Sequence, residues 1–307
     1  MKNAQRVSEL LVETGAYKDL DSPVILTSGE LGIYYINTEK LLQDSGEWVR
    51  YGDNSQDMIT YLKGLLPSKS SFNEVINIIS EEIDSRLSHK KELYKNITIS
   101  GGQRRDWLFS GPVACVMGLN HISLYKQIDD VHRFEIISPK GDLLSNCDIR
   151  GCYAVHVVDL ITEGSSVYRQ NGIGAKGWVP MLRAHGAVID SLLSVVTRRQ
   201  GGEERLLEQG VTTNSFVSID NDFLRKYSKD PERALDYAKS PSEWTKNYIE
   251  KNDVMTFVDV FNPDGGKLER GLKFLSRYKT TLSSLGKLEK LERAIRVKFD
   301  LELNPGV

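Results

Sequence analysis

The segment from Cys152 to Ser166 constrains the fold of this chain more than any other. It opens with the run Cys152–Val158, in which every residue except His156 is apolar or aromatic. A strand of this composition is typical of the interior of a parallel sheet, where helices cover both faces. The run ends at Asp159, and the loop that follows is rich in threonine, glycine and serine. We therefore expect a buried, mainly parallel sheet.

Strands and helices alternate around this segment. Apolar residues at helical spacing predict helices at residues 4–15, 72–91 and 110–117. Shorter apolar runs predict strands at residues 96–100, 121–125, 134–138, 187–197 and 216–219, after short extended pieces at 24–26 and 33–36. Ser71 and Glu74 have the spacing of a capping box at the start of the second helix. This alternation favours an α/β fold, with a mainly parallel twisted sheet flanked by helices and joined by right-handed crossovers.

The composition changes beyond residue 220. Residues 221–251 are highly charged and are predicted to be helical. Val254–Phe261 has the apolar pattern of a strand, and Gly271–Arg277 and Leu285–Val297 have the pattern of helices. The C-terminal part of the chain is therefore predicted to be a small α+β extension of the core.

Charge and composition exclude several classes of function. The net charge is −2, and lysine and arginine are spread along the chain, which argues against nucleic-acid and membrane partners. No apolar run reaches the roughly 18 residues of a membrane-spanning helix, and no signal peptide is predicted at the N-terminus. The three cysteines and five histidines lack metal-ligand spacing. We expect a cytoplasmic protein with reduced thiols and no metal ligands of its own.

The loop after Asp159 has the composition of a phosphate-binding loop. Backbone N–H groups and the hydroxyl groups of Thr162, Ser165 and Ser166 could converge on one phosphate. Asp159 would then lie beside the sugar that carries this phosphate, because ligands of open α/β sheets bind at the carboxyl ends of the strands. The alternative is an ordinary strand-to-helix turn with a serine or threonine cap.

This segment resembles the phosphoribosyl pyrophosphate (PRPP) motif of type I phosphoribosyltransferases. In that motif a hydrophobic strand is followed by two acidic residues, two hydrophobic residues, threonine, a small residue and glycine. Asp159 matches the second acidic position, whereas Val158 stands at the first. Glu163 occupies the position that is usually small.

Further segments resemble the orotate phosphoribosyltransferase branch of this family. Glu13–Lys18, Leu26–Gly29 and Tyr34–Asn37 resemble its N-terminal hood, including an aromatic pair beside the base. Val195–Glu204 resembles a second segment of that branch, in which the residue at Arg198 faces the base. The resemblance covers about residues 7 to 220 and implies domain boundaries. These are a hood at 1–45, an α/β core at 46–230 and the extension at 231–307.

The chain also departs from the family pattern. Thr27 replaces a lysine, and at the mobile catalytic loop only Lys126 matches, with Asp129, Asp130 and His132 following. An insertion of about eight residues at 168–178 interrupts the helix after the phosphate loop. The insertion contains Gly172–Gly177, which fits a GxGxxG pattern. No strand directly precedes it, so we interpret it as a loop over the site rather than a dinucleotide motif.

Ser100–Trp107 lies where the family has its pyrophosphate loop. Gly101 and Gly102 would let the backbone approach an anion, Arg104 or Arg105 would grip the pyrophosphate, and Asp106 would orient the other arginine. The alternative is a surface turn with solvated arginines. His156, which alternates with apolar residues, is interpreted as a hydrogen-bonded core histidine.

The resemblance implies transfer of a phosphoribosyl group from PRPP to orotate or another nitrogenous base. It assigns Asp159, Lys126, Arg104 and Arg105 to catalysis. It assigns the following residues to substrate binding: Thr162, Glu163, Gly164, Ser165, Ser166, Arg198, Tyr34 and Tyr35. Mg²⁺ would be held mainly through PRPP, and the protein would be a homodimer. Tyr34 and Tyr35 could equally be packing residues, and the alternative function is a non-catalytic regulatory protein that binds PRPP or a nucleotide.

Overall fold

The fold is described from a computed structural model of the protein. The structure describes residues 2–26, 28–88, 90–126, 133–145, 148–171, 174–263 and 267–301. These residues form two compact units. The first comprises Met1–Tyr17 and Ile36–Phe223, and the second comprises Lys18–Tyr35 and Leu224–Val307. The domain boundaries predicted from the sequence stay a prediction.

The N-terminal third of the chain contains a hairpin and several helices. Helix α1 (Lys2–Glu13) precedes the antiparallel strands β1 (Tyr17–Ile25) and β2 (Leu31–Ile36). Two short 3-10 helices follow, Thr38–Leu42 and Glu47–Tyr51. The next helices are α2 (Ser55–Leu65), α3 (Ser70–Leu87) and α4 (Lys90–Leu93).

A seven-stranded sheet is the centre of the first unit, with the order β11-β10-β7-β3-β4-β5-β6. Its strands are β3 (Ile97–Gly102), β4 (Asn120–Leu124), β5 (Phe134–Ile137), β6 (Leu143–Leu144), β7 (Tyr153–Ile161), β10 (Ser191–Thr197) and β11 (Thr212–Ser218). The strands from β11 to β4 are parallel, and β5 and β6 are antiparallel. The mainly parallel sheet predicted from the sequence is therefore confirmed.

Helices cover both faces of this sheet. Helix α5 (Trp107–Met117) connects β3 to β4 and packs against α2 and α3, with Phe109 edge-to-face on Phe72. On the other face, α6 (Trp178–Ala184) and α7 (Gly202–Glu208) bury Trp178 and Leu206 in a common core with Val158. Because helices cover both faces, β7 can consist almost entirely of apolar residues, as expected from the sequence.

The second unit combines the hairpin with the C-terminal helices. These helices are α8 (Asn221–Tyr227), which belongs to this unit from Leu224 onwards, α9 (Pro231–Lys239), α10 (Pro241–Lys251), α11 (Lys267–Ser284) and α12 (Leu288–Phe299), with the 3-10 helix Val254–Phe261 between α10 and α11. Ile25 and Leu31 of the hairpin share one apolar core with α10, α11, α12 and this 3-10 helix. The hairpin, which the sequence places in the predicted hood, thus belongs to the same unit as the C-terminal helices.

Two local predictions are wrong. Val254–Phe261 forms a 3-10 helix rather than a strand, because burial of Val254, Phe257, Val258 and Phe261 follows a three-to-four-residue spacing. The capping box at Ser71 is absent, since α3 begins at Ser70 without a side-chain cap. Glu74 instead accepts two hydrogen bonds from Arg6 at 2.7 and 2.9 Å, and this pair joins α1 to α3. None of the helices in the described ranges is long and apolar enough to cross a bilayer.

Candidate functional site

The strand order reverses between β3 and β7. From β3 the chain continues to β4 on one side, whereas β7, β10 and β11 follow on the other side. In open α/β sheets such a reversal leaves a crevice outside the carboxyl ends of the two strands, and ligands bind there. The loop after β3 carries Arg104, Arg105 and Asp106. β7 ends at Ile161, and Asp159 lies two residues before this end. The fold thus brings two of the predicted segments together.

Asp106 and Asp159 form a buried carboxyl pair across this reversal. The Asp159 N–H donates to Asp106 Oδ1 at 3.2 Å, and the Gly102 N–H donates to Asp106 Oδ2 at 3.0 Å. Burial, followed by the charge of Asp159, raises the pKa of Asp106 well above its ordinary value. Asp106 is therefore the member of the pair that is more readily protonated.

Asp159 has further partners on its other side. Its Oδ1 accepts a hydrogen bond from the Leu160 N–H at 2.7 Å, and its Oδ2 accepts one from Thr38 Oγ1 at 2.9 Å. Burial raises the pKa of Asp159, whereas the charge of Arg105 and the hydroxyl of Thr38 lower it. The net effect still raises the pKa of Asp159 above its ordinary value, because burial is the largest cause. Only 8% of its surface is exposed.

Arg105 and Arg104 have different environments. Arg105 Nε lies 2.7 Å from Glu39 Oε1 in an ion pair, and its charge acts on Asp159. Arg104 places its guanidinium over the ring of Trp48, 5.4 Å from the centroid. Neither arginine is oriented by Asp106, whose oxygens accept backbone N–H groups instead. That prediction is wrong, because Asp106 faces the sheet.

Gly101 and Gly102 are needed for packing. A Cβ atom on Gly101 would lie 2.1 Å from Ser110 Oγ, and one on Gly102 would lie 2.1 Å from the Trp178 ring. The glycines therefore allow α5 and α6 to approach the end of β3. Beside them, the exposed Lys126 is held by its backbone, since its N–H donates to Gln103 Oε1 at 2.8 Å. The rest of the predicted mobile loop, including Asp129, Asp130 and His132, lies outside the described residues.

The backbone of the loop after β7 packs in close contact with the loop after β10. Gly164 has a φ of +70°, and a Cβ atom on it would lie 3.1 Å from Gly202 Cα. The Gly202 N–H donates to Thr162 O at 3.1 Å. Glu163, Ser165 and Ser166 are exposed, and Thr162 is half-buried. Three hydroxyl groups consequently surround a tight, glycine-dependent turn at the end of β7.

A hairpin interrupts the helix that begins in this loop. The Val167 and Tyr168 N–H groups bond to Gly164 O as a first helical turn. The hairpin of β8 (Arg169–Asn171) and β9 (Gly174–Lys176) then intervenes before α6. Across it, Trp178 N–H donates to Ser166 O at 3.2 Å and Val179 N–H donates to Val167 O at 3.0 Å. Without the eight residues Arg169–Lys176 these partners would be four residues apart, which is helical spacing.

The predicted base-binding residues do not lie in one unit. Arg198 is half-buried at the end of β10, where its N–H donates to Ile161 O at 2.9 Å. Tyr34 belongs to the second unit, where it is buried with its ring edge-to-face on Tyr237 at 5.7 Å. Tyr35, in the same unit, is 38% exposed. The packing interpretation of Tyr34 thus has direct support, and the role of both tyrosines in base binding stays a prediction.

Two buried histidines stabilise the sheet beneath the site. His156 Nδ1 and Ser100 Oγ are 3.0 Å apart, as expected for a hydrogen-bonded core histidine. His121 bonds to Ser110 and Ser123 at 2.8 and 2.9 Å. Burial lowers the pKa of each histidine to about 3, so both are neutral at physiological pH. Cys115 and Cys152 are free thiols, and Cys147 lies outside the described residues.

A cavity of about 580 Å³ lies at the opposite end of the sheet. Ile97, Asn120 and Cys152, at or near the amino ends of β3, β4 and β7, contribute to its lining. None of the site residues predicted from the sequence lines it. The carboxyl-end site, rather than this cavity, is therefore the candidate for ligand chemistry.

The described residues contain no group of three or more histidine, cysteine, aspartate or glutamate side chains that could hold a metal ion. Asp159 of the buried pair already accepts two hydrogen bonds. This donor set is compatible with Mg²⁺ that is held mainly by oxygens of a bound pyrophosphate and by water.

Solved structures share this fold. UMP synthase from Leishmania donovani is 15% identical with a TM-score of 0.50, and the match covers 78% of this chain and 42% of that protein. Orotate phosphoribosyltransferase from Aeropyrum pernix is 17% identical with a TM-score of 0.44, covering 72% and 97%. Adenine phosphoribosyltransferase from Saccharomyces cerevisiae is 13% identical with a TM-score of 0.42, covering 69% and 99%. Neither a protein-family model nor a curated protein matches the sequence. The fold is similar to that of the UMP synthase structure.

Proposed function

We propose that the protein binds PRPP at the carboxyl ends of β3 and β7 and transfers its phosphoribosyl group to a nitrogenous base, with release of pyrophosphate. The observation that carries this proposal is the position of Asp159 and the Thr162–Ser166 turn. Asp159 lies near the carboxyl end of β7 and the turn follows this strand, both at the strand reversal of the sheet. An acidic residue for the sugar and a hydroxyl-rich turn for its phosphate are thereby adjacent.

Each part of PRPP has a proposed partner. Thr162, Gly164, Ser165 and Ser166 bind the 5′-phosphate, and the exposed Glu163 can direct its carboxylate to solvent. Asp159 binds the ribose hydroxyls. Arg104, Arg105 and Lys126 face the pyrophosphate, while Arg198, Tyr34 and Tyr35 contact the base.

The reaction separates charge at the sugar, and the proposed residues oppose that cost. The ribose becomes positively charged as its bond to pyrophosphate lengthens. In this proposal the carboxylate of Asp159 lies beside the ribose. Fixed cations such as Arg105 favour the departing pyrophosphate, because they need no reorganisation during the step. When bound through PRPP, Mg²⁺ would neutralise further charge on the leaving group. We further propose a cytoplasmic homodimer that uses orotate or another nitrogenous base and serves pyrimidine nucleotide synthesis.

A specific observation favours a second candidate, a non-catalytic regulatory protein that binds PRPP or a nucleotide. Val158 replaces the first acidic residue of the motif and is buried in the core beside α6. Asp159 and Arg105 are both engaged by residues of the protein itself. A sensor can tolerate such a site, because it needs ligand-dependent stability rather than turnover.

One assay separates these candidates. PRPP and Mg²⁺ are supplied with a panel of bases that includes orotate, and pyrophosphate release is measured alongside the melting temperature. Release with one base identifies the transferase and its substrate, and the variant Asp159→Asn should lose it. A PRPP-dependent rise in melting temperature without release for any base identifies the regulatory protein. If PRPP produces neither pyrophosphate release nor a rise in melting temperature, both candidates are contradicted.

A further inference from the structure

The 3-10 helix Thr38–Leu42 brings two consecutive side chains to the carboxyl pair and its arginine. Thr38 is 2% exposed, and its hydroxyl donates to Asp159 Oδ2 at 2.9 Å. Glu39 is the neighbouring residue, and its Oε1 lies 2.7 Å from Arg105 Nε. The two contacts come from adjacent residues and reach two different elements of the sheet edge, the end of β7 and the loop after β3.

The chemistry of these contacts matches that of a sugar phosphate. A threonine hydroxyl that donates to a carboxylate is equivalent to a ribose hydroxyl in the same position. A glutamate carboxylate on a guanidinium presents oxygens as a phosphate group does, since arginine binds both anions through the same N–H groups. Thr38 and Glu39 thus offer a hydroxyl to Asp159 and an anion to Arg105.

We propose that Thr38 and Glu39 occupy, in the ligand-free protein, the positions of a ribose hydroxyl and a pyrophosphate oxygen, and that PRPP must displace them from Asp159 and Arg105. This inference rests on the proposed function, which assigns Asp159 to the ribose and Arg105 to the pyrophosphate. It adds an internal competitor for that site, so the affinity for PRPP is set partly by the protein's own side chains.

The anchoring of the turn indicates which groups move. Leu41 and Leu42 are fully buried, and the Asn37 side chain accepts the Glu39 N–H at 3.2 Å. These contacts keep the backbone of the turn in place. The side chain of Glu39 is 22% exposed and that of Arg105 is 49% exposed, so their ion pair can open by rotation into solvent. Displacement therefore requires side-chain rotation at Glu39 and a local shift at Thr38.

Two variants separate the two halves of the competitor. Glu39→Gln removes the anion from Arg105 and should tighten the binding of inorganic pyrophosphate roughly two- to fivefold, as expected for a partly exposed ion pair. Thr38→Val removes the hydroxyl with little change in volume and should tighten the binding of ribose 5-phosphate by about tenfold, because Asp159 then lacks its internal donor. Each variant should affect the other ligand much less.

The matched control is Glu74→Gln. It removes one carboxylate charge from a comparable half-exposed pair, Arg6–Glu74 at 2.7 Å, in which both partners lie on helices α1 and α3 away from the β3 and β7 loops. Calorimetric titration of this variant should give wild-type dissociation constants for both ligands. Tighter binding in the control would mean that net charge alone explains the effect, and that result would overturn the inference.

The remaining outcomes are distinguishable. Weaker pyrophosphate binding by Glu39→Gln would mean that Glu39 positions Arg105 for the ligand, and unchanged binding by both variants would mean that no competition exists. Either result overturns the inference and leaves the proposed function intact if the wild-type protein binds PRPP. If Thr38→Val fails to fold, Glu39→Gln still tests the inference, because the Glu39 side chain is partly exposed. Failure of wild type and variants to bind either ligand or PRPP would contradict the proposed function and this inference together.

Discussion

Gly164 and Gly202 approach each other so closely that neither position has room for a side chain. A Cβ atom on Gly202 would lie 2.7 Å from Gly164 N and 2.6 Å from Thr162 O. The turn at the end of β7 and the start of α7 are therefore in backbone contact. Gly164 also has a positive φ, so glycine is favoured at this position for both a steric and a conformational reason.

Substitution of Gly202 tests this contact. Gly202→Ala should lower the free energy of unfolding by about 1–3 kcal/mol, because the backbone of the Thr162–Ser166 turn must move to accept the methyl group. It should also reduce the rise in melting temperature caused by ribose 5-phosphate. Gly64→Ala is the control, since a Cβ atom there meets no neighbour within 4 Å. In helix α2 this change should stabilise the protein by roughly 0.5–1 kcal/mol. Equal urea-unfolding curves for both variants would contradict the steric explanation.

Excision of the hairpin tests whether it is an independent insertion. Removal of Arg169–Lys176 should leave a folded protein, because the bonds from Trp178 and Val179 to Ser166 and Val167 then become ordinary helical bonds. Gly177, which has a φ of +122°, can adopt the helical conformation that the junction needs. Circular dichroism and thermal unfolding should show a cooperative transition close to that of the wild type. Loss of the transition would mean that the hairpin contributes to the core.

The carboxyl pair should titrate abnormally. The folded protein keeps a proton on Asp106 that the unfolded chain releases near the ordinary aspartate pKa of 3.8, since burial raises the folded pKa. Stability from this pair is therefore present at low pH and decreases as the pH rises towards the raised pKa. NMR of the aspartate carboxyl carbons should show Asp106 titrating well above Asp148, whose pKa is lowered by hydrogen bonds from Arg150. A midpoint for Asp106 at or below its ordinary value would contradict the pair.

Arg105 should matter more than Arg104 for pyrophosphate. Arg105→Ala removes the cation beside Asp159 and should weaken pyrophosphate binding by roughly 10- to 150-fold, as for a charge-assisted contact of about 1.5–3 kcal/mol. Arg104→Ala should have a smaller effect, because its guanidinium lies over Trp48. Arg150→Ala, an exposed arginine beside the amino end of β7, is the control and should bind as the wild type does. The reverse order of Arg104 and Arg105 in calorimetry would refute the assignment.

The hairpin β1–β2 should depend on the C-terminal helices. Tyr237 is 3% exposed and contacts Tyr34 and Trp244 with ring centroids at 5.7 and 5.6 Å. Tyr237→Ala should cost about 3–5 kcal/mol of stability within this unit and speed amide exchange in residues 18–35. Val297→Ala, at a position 82% exposed in α12, should change stability by less than roughly 0.5 kcal/mol. Unchanged exchange in the hairpin of Tyr237→Ala would show that the helices do not support it.

Local patterns predicted much of the fold and the turn at Thr162–Ser166. The apolar strand that ends at Asp159 and the helical spacing from Phe72 to Leu87 depend on residues close in sequence, and both form as predicted. The turn after β7 could be predicted because its chemistry resides in five consecutive residues, Thr162–Ser166. The interrupted helix could also be predicted, since an insertion shifts the sequence against a known pattern.

Tertiary structure decided the rest, because the partners are far apart in the chain. Asp106 and Asp159 are separated by 53 positions, and Thr38 and Asp159 by 121. Local spacing in the sequence cannot indicate such a contact. Asp159 could therefore be predicted as a ligand-binding residue, but its contacts with Thr38 and Asp106 could not. The capping box failed for the same reason, since Arg6, 68 positions away, binds Glu74. Periodicity determines which elements form, whereas the sheet order determines which polar groups must neutralise one another once they are removed from water.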